Sequence, residues 1–198
     1  MRYMVRFAVL ATVTTLAACG GGGSGGPTTS PPGDPARVSF AEMRKGLLAI
    51  DEKVGFYGSV MTPKQGRATY NGYMTGGQDL EAAQSDPQFA SRVQLKANFD
   101  RQTMDGRFYQ FADKGNNPVR GELNLSNGKI ERGLNDGDVF AADVAGRLTN
   151  VDGTRINVSG KTGGSFHGKG ATAVAGALTV SDDANHEAGL VGIFVATR

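Results

Sequence analysis

The sequence predicts an all-β fold: a closed eight-stranded antiparallel β-barrel behind a short N-terminal flap and a disordered tether. Three observations carry this expectation. From residue 66 onward, apolar and polar residues alternate in short runs, the period of strands with one buried face. Turn-forming pairs such as Asp152-Gly153 separate the runs, and eight antiparallel strands can close on themselves and so lose their edges. The inward faces mix Gly, Ala, Val, Leu and Phe, which suits an interior filled by side chains.

The chain opens with Arg2 and Arg6 around a charged start, an apolar run over 7–16, and then Leu16-Ala17-Ala18-Cys19. A positive start, a short apolar segment and small residues before a cut site make a secretory signal over 1–18. The run is too short to span a membrane, which takes about 20 apolar residues. Leu-Ala-Ala-Cys resembles the bacterial lipobox. That resemblance implies cleavage between Ala18 and Cys19, with acyl chains such as palmitate on Cys19. Each buried acyl CH₂ contributes about 0.8 kcal/mol, so several chains hold a protein to a membrane. Cys19 is the only cysteine, which excludes an internal disulfide and a cysteine zinc site. No Asp follows it to suggest inner-membrane retention, so the expected location is the outer membrane. Residues 19–36 then read as a flexible tether, Gly- and Ser-rich first and Pro-rich later.

Residues 37–65 read as a short helix and flap. Ser39 with Glu42 fits a capping box, and Met43, Leu47 and Ile50 have helical spacing over 39–50, although Gly46 weakens the pattern. Phe56, Tyr57, Val60 and Met61 form either a plug for one barrel end or an irregular lead-in. The strands are placed at 66–75, 91–100, 103–111, 119–126, 138–149, 154–162, 173–181 and 187–197. Residues 76–90 read as a long loop, 113–118 as another, and Asn127-Gly128 as the close of the fourth strand. The sharpest pattern is the hairpin over 140–161. Phe140, Ala142, Val144, Gly146 and Leu148 share one face, and after Asp152-Gly153 the alternation resumes. The outward faces carry Arg, Lys, Asn and Asp, which argues against a lipid-facing barrel.

These residues resemble a known family. Gly66 to Gly72, Asn98-Phe99-Asp100 with Met104-Asp105-Gly106, Ser165 to Ala171 with Gly176, and Gly192 to Arg198 are similar to successive motifs of the β-barrel domain of transferrin-binding protein B. The resemblance covers 66–198. It implies a surface lipoprotein that captures host iron carriers or other host proteins. Members of that family have two lobes, each with a barrel and a sizeable handle, whereas 37–65 is the only handle here. No contact residue therefore carries over.

Charge and motifs narrow the functional classes. Of 21 basic residues, removal of Arg2 and Arg6 leaves 19 against 19 acidic ones, so the mature chain has no electrostatic footprint for nucleic acid. No G-x-S-x-G accompanies Ser159 or Ser165, and Gly163 to Gly170 lacks a P-loop lysine pattern. Nothing points to an enzyme or a cofactor. His167, in a Gly-rich turn, and His186, in a polar loop, are expected to be solvated; two histidines without a third group are a poor metal or haem signature. Asp182, Asp183 and Glu187 read as a solvated tip. Tyr73 and Tyr109 fall on the outer face as candidate partner contacts, and His167 is a third. The reading is a membrane-anchored binding module that presents 76–90 and 113–118 to a protein partner. Two alternatives stand beside it: a structural envelope-assembly lipoprotein, and a carrier of a small apolar ligand or haem in the lumen.

Overall fold

The computed structural model describes residues 37–54, 58–133, 137–184 and 189–198. Eight antiparallel strands close into a barrel in sequence order: β1 (Arg67–Gly77), β2 (Phe89–Asn98), β3 (Thr103–Asp113), β4 (Pro118–Glu131), β5 (Val139–Thr149), β6 (Arg155–His167), β7 (Ala173–Asp182) and β8 (Leu190–Thr197). Closure comes from β1 pairing with β8, Asn71 opposite Thr197 through Gly77 opposite Val191. Helix α1 (Phe40–Val54) precedes the barrel, and helix α2 (Leu80–Ser85) lies between β1 and β2.

The lumen is filled. Tyr70, Phe108, Phe166 and Phe194 are buried to 1% exposure or less. Their rings join in a chain: Phe99 to Phe166 at 6.0 Å, Phe166 to Phe140 at 6.1 Å, Phe140 to Phe194 at 6.4 Å and Phe194 to Phe108 at 5.6 Å. Such edge and tilted pairs add about 0.5–1.5 kcal/mol each beyond the area they bury. Glycine makes room for them. A Cβ on Gly176 would sit 2.7 Å from the Phe194 ring and 2.2 Å from the Gly163 carbonyl oxygen. A lumen packed this way has no space for haem or an apolar ligand, which corrects the carrier alternative.

The alternation slips at named places. Between Ala90 and Arg92, a single β2 residue, Ser91, faces Gln110 and Phe111 of β3. Gln110 takes φ 55°, and the extra residue swings Phe111 into the core while Ala112 turns outward beneath α1. In β4, Asn127-Gly128 does not end the strand. Asn127 takes φ 53° inside a register shift and the strand runs on to Glu131, so the turn signal marks a bulge. Strand β6 likewise continues through the glycines to His167, which corrects the expected turn there. The 76–90 loop holds α2, whose first turn is capped by Asp79 accepting from the Ala82 N–H at 2.8 Å.

Helix α1 lies on the outside of the wall. Ser39 and Glu42 form the expected capping box: Glu42 Oε2 accepts from the Ser39 N–H at 2.8 Å and Ser39 Oγ from the Glu42 N–H at 3.2 Å. The helix runs to Val54, past the expected end at residue 50. Its start is pinned where the Phe40 N–H donates to Asn116 Oδ1 at 3.1 Å. Phe40 and Met43 pack on Ala90 and Ala112, and Val54 packs on Ala173 and Val195, so the helix crosses the outer wall from β3 to β7 over β1 and β8. Gly46 permits this close approach, because a Cβ there would lie 2.3 Å from the Tyr73 ring.

The described residues after α1, from 58 on, are tied to one end of the barrel at the end of β6 and just before β5. The Val60 N–H donates to the Phe166 carbonyl at 2.8 Å, and the Asp138 N–H donates to the Val60 carbonyl at 3.1 Å. Fully buried Asp138 accepts from the Thr62 N–H at 3.0 Å, the Thr62 hydroxyl at 2.5 Å and the Gly133 N–H at 3.2 Å. Val60 packs on the lumen core. Phe56 and Tyr57, expected in the same plug, lie outside the described residues.

Candidate functional site

With the interior full, the chemistry available to a partner is on the outside of the wall. Among the described residues, helices α1 and α2 cover the β8–β1 side, and the start of α1 also lies over Ala90 of β2 and Ala112 of β3. The wall from Tyr109 across β4, β5 and β6 presents its own side chains.

One row of that wall is polar and in register across five strands. Arg92 of β2 faces Tyr109 of β3, Tyr109 faces Glu122 of β4, Glu122 faces Arg147 of β5, and Arg147 faces Asn157 of β6. All of these point outward, because their neighbours Val93, Phe108, Leu123, Leu148 and Val158 are buried in the core. The Tyr109 ring has two guanidinium groups over it, Arg92 at 5.4 Å and Arg107 at 4.6 Å from its centroid. Arg107 also pairs with Glu122 at 3.2 Å, and Arg147 Nε donates to Asn157 at 2.8 Å. The next row toward the α2 rim runs from Arg120 through Thr149 to Arg155.

Further down the wall the charges neutralise one another. Asp143 pairs with Lys161 and accepts from the Asn127 amide at 2.8 Å. The hydrogen bond from Lys161, and after it the one from Asn127, hold the Asp143 carboxyl below the ordinary carboxylate range. On the α2 rim, Asp86 is lowered in the same way by its bond to Lys114 at 2.5 Å. At the opposite rim, an open cleft of about 310 Å³ is lined by Arg67, Lys96 and Arg101 among others.

The residues singled out from sequence are dispersed. Tyr73 faces outward, but α1 lies over it. Tyr109 is outward and half-exposed inside the arginine pair. His167 ends β6, half-buried, with Nε2 2.9 Å from the Ser165 hydroxyl, rather than in a solvated turn. Ala18, Cys19, His186 and Glu187 lie outside the described residues. Among the described residues no group of three His, Cys, Asp or Glu side chains could hold a metal ion. The 113–118 turn is tied up internally, with Asp113 accepting from the Asn117 backbone N–H and side-chain amide and Asn116 engaged by α1. Sequence reading missed the arginine row, whose members are spread over 92–155 and become neighbours only through strand register.

The family described as "C-lobe and N-lobe beta barrels of Tf-binding protein B" matches residues 62–198. This chain belongs to that family. The barrel is also similar to solved structures of transferrin-binding protein B. A single mutant of the vaccine antigen from Haemophilus parasuis Hp5 is 20% identical, with a TM-score of 0.48 over 70% of this chain and 28% of that one. The protein from serogroup B Neisseria meningitidis, isotype 1, is 14% identical, with a TM-score of 0.43 over 71% of this chain and 28% of the other. The chain thus spans little more than a quarter of the length of those proteins. Among curated proteins there is no significant match.

Proposed function

We propose that this member of the transferrin-binding protein B family is an outer-membrane lipoprotein, anchored through acyl chains on Cys19, whose barrel is a binding module for a protein partner at the cell surface. It is a binding protein rather than an enzyme. The carrying observation is the closed barrel packed solid with aromatic rings, in a chain whose family is named for transferrin binding. Such a barrel can offer a partner only its outer wall and its rims. The family favours an iron-carrying host protein as that partner. The Ala18–Cys19 cleavage and the 19–36 tether belong to the same proposal.

Two measurements test it. Palmitate labelling and membrane fractionation are expected to find the wild type acylated and in the outer membrane, and Cys19→Ser unlabelled and released. Protease added to intact cells is expected to digest the barrel. Full protection in intact cells with digestion after lysis would instead place the body in the periplasm and favour the envelope-assembly reading. Saturable binding to transferrin or another host iron carrier is the functional readout. Its absence across such carriers would remove the capture reading.

A further inference from the structure

The arginine row is more than a solvated face. Arg92 and Arg147 share one row of the outer wall with Glu122, Arg120 and Arg155 lie in the next row toward the α2 rim, and Arg107 lies one row the other way, opposite Gln94 and Asn124. Asp152 and Asp183 flank this area but are engaged, with the Thr154 N–H and the Ser159 hydroxyl respectively. No lysine stands in the row. The difference matters because the planar guanidinium pairs bidentately with carboxylates and is weakly hydrated, whereas an ammonium is a point charge that holds its water.

Geometry adds to charge. Tyr109 has the Arg92 and Arg107 guanidinium groups over its ring, and Arg107 also pairs with Glu122. Side chains held this way lose less freedom on binding, where an ordered long side chain otherwise costs about 0.5–1.5 kcal/mol. Tyr and Arg are also the residues that dominate binding energy at protein interfaces. The phenol ring lies against its two arginines, and Val151, in the turn between β5 and β6, is a large apolar side chain exposed at the edge of this face, so lipid is tested as the alternative.

We infer that the outer wall of β2–β6 toward the α2 rim, centred on Tyr109 between Arg92 and Arg107, is the docking surface for an acidic patch on a folded protein partner. The inference rests on reading the chain as a surface binding module and names the face and the partner chemistry.

The test uses the full mature chain in nonionic micelles, with polyglutamate as the acidic probe and phosphatidylglycerol vesicles as the lipid alternative. Titration calorimetry gives affinity, and NMR of the arginine Nε–H groups gives location. Polyglutamate is expected to bind saturably and to shift the Arg92, Arg107 and Arg147 signals. Arg92→Gln/Arg107→Gln/Arg147→Gln is expected to weaken binding by about tenfold or more. Arg67→Gln/Lys96→Gln/Arg101→Gln removes the same charge from the cleft at the opposite rim and is expected to cost about twofold or less, the long-range part that salt screens. Tyr109→Leu keeps every charge and is expected to weaken binding about threefold, through loss of the ring beneath the two guanidinium groups. Equal losses in the two triple variants would overturn the inference, as would no saturable binding. Vesicle binding through these arginines with no response to polyglutamate would make the face a membrane contact instead. Protease access on cells is measured separately, so the docking inference can fail while the surface reading stands.

Discussion

Gly46 gives the sharpest test of how α1 is seated. A Cβ built there would lie 2.3, 2.6 and 2.9 Å from three atoms of the Tyr73 ring, where carbon atoms normally rest about 3.5–4.0 Å apart. Gly46→Ala therefore requires the helix or the ring to move by more than an ångström. Tyr73 is wedged between helix and wall, and overpacking of that kind costs about 1–3 kcal/mol. Against this, Ala in place of Gly inside a helix contributes about 1 kcal/mol. The net expectation for Gly46→Ala is destabilisation by roughly 1 kcal/mol, the difference of those two effects. In a Tyr73→Ala background the clash is gone, so the same substitution is expected to stabilise by about 1 kcal/mol, the helix propensity alone. The coupling between the two sites is then about 2 kcal/mol and the sign reverses. Urea unfolding of the four proteins, followed by far-ultraviolet circular dichroism, measures it. A stabilising Gly46→Ala in the wild-type background, or an additive cycle, would show that α1 does not sit on Tyr73 as described.

Asp138→Ala strips the acceptor from the Thr62 N–H and hydroxyl and from the Gly133 N–H; it is expected to cost about 2–4 kcal/mol and to speed amide exchange at Val60 and Thr62. Tyr70 is buried with its hydroxyl donating to the Ala171 carbonyl at 2.8 Å, and burial pushes its pKa from 10.0 to about 12. A raised folded-state pKa contributes stability that is whole below pH 10.0 and is lost as pH rises toward about 12, so alkaline melting curves should steepen in that window. Tyr70→Phe is expected to remove that alkaline loss while costing about 1 kcal/mol at neutral pH for the missing hydrogen bond. Asp143 has the opposite sign: its depressed pKa supports the fold above the ordinary value of 3.8 and the contribution disappears as pH falls below it. Lys161→Met should move the Asp143 carboxyl titration, followed by NMR, back toward 3.8.

The barrel was legible because each strand has one face in a packed lumen, so burial imposes a period of two that survives in the residues themselves. Phe140, Ala142, Val144 and Leu148 are buried as that period requires. The misreadings share a cause: local signals whose meaning tertiary structure decides. Asn127-Gly128 favours a left-handed backbone, which serves a bulge as well as a turn. Gly46 looks like a helix breaker until the ring beneath it is known. Tyr73 and Tyr109 have the same outward parity, yet one lies under α1 and the other between arginines, and parity cannot separate them. The arginine row depends on registers between strands far apart in sequence, which periodicity within any one strand does not encode.

The hydrogen bond from the Phe40 N–H to Asn116 decides how force would enter the molecule. Helix α1 begins against the 113–118 turn and descends the wall, reaching Ala173 and Val195 at its far end. Tension on the preceding residues would first meet Phe40 and Met43, and would have to peel the helix away before any strand was loaded. The closed ladder of eight strands would thus be loaded only after α1 had come away.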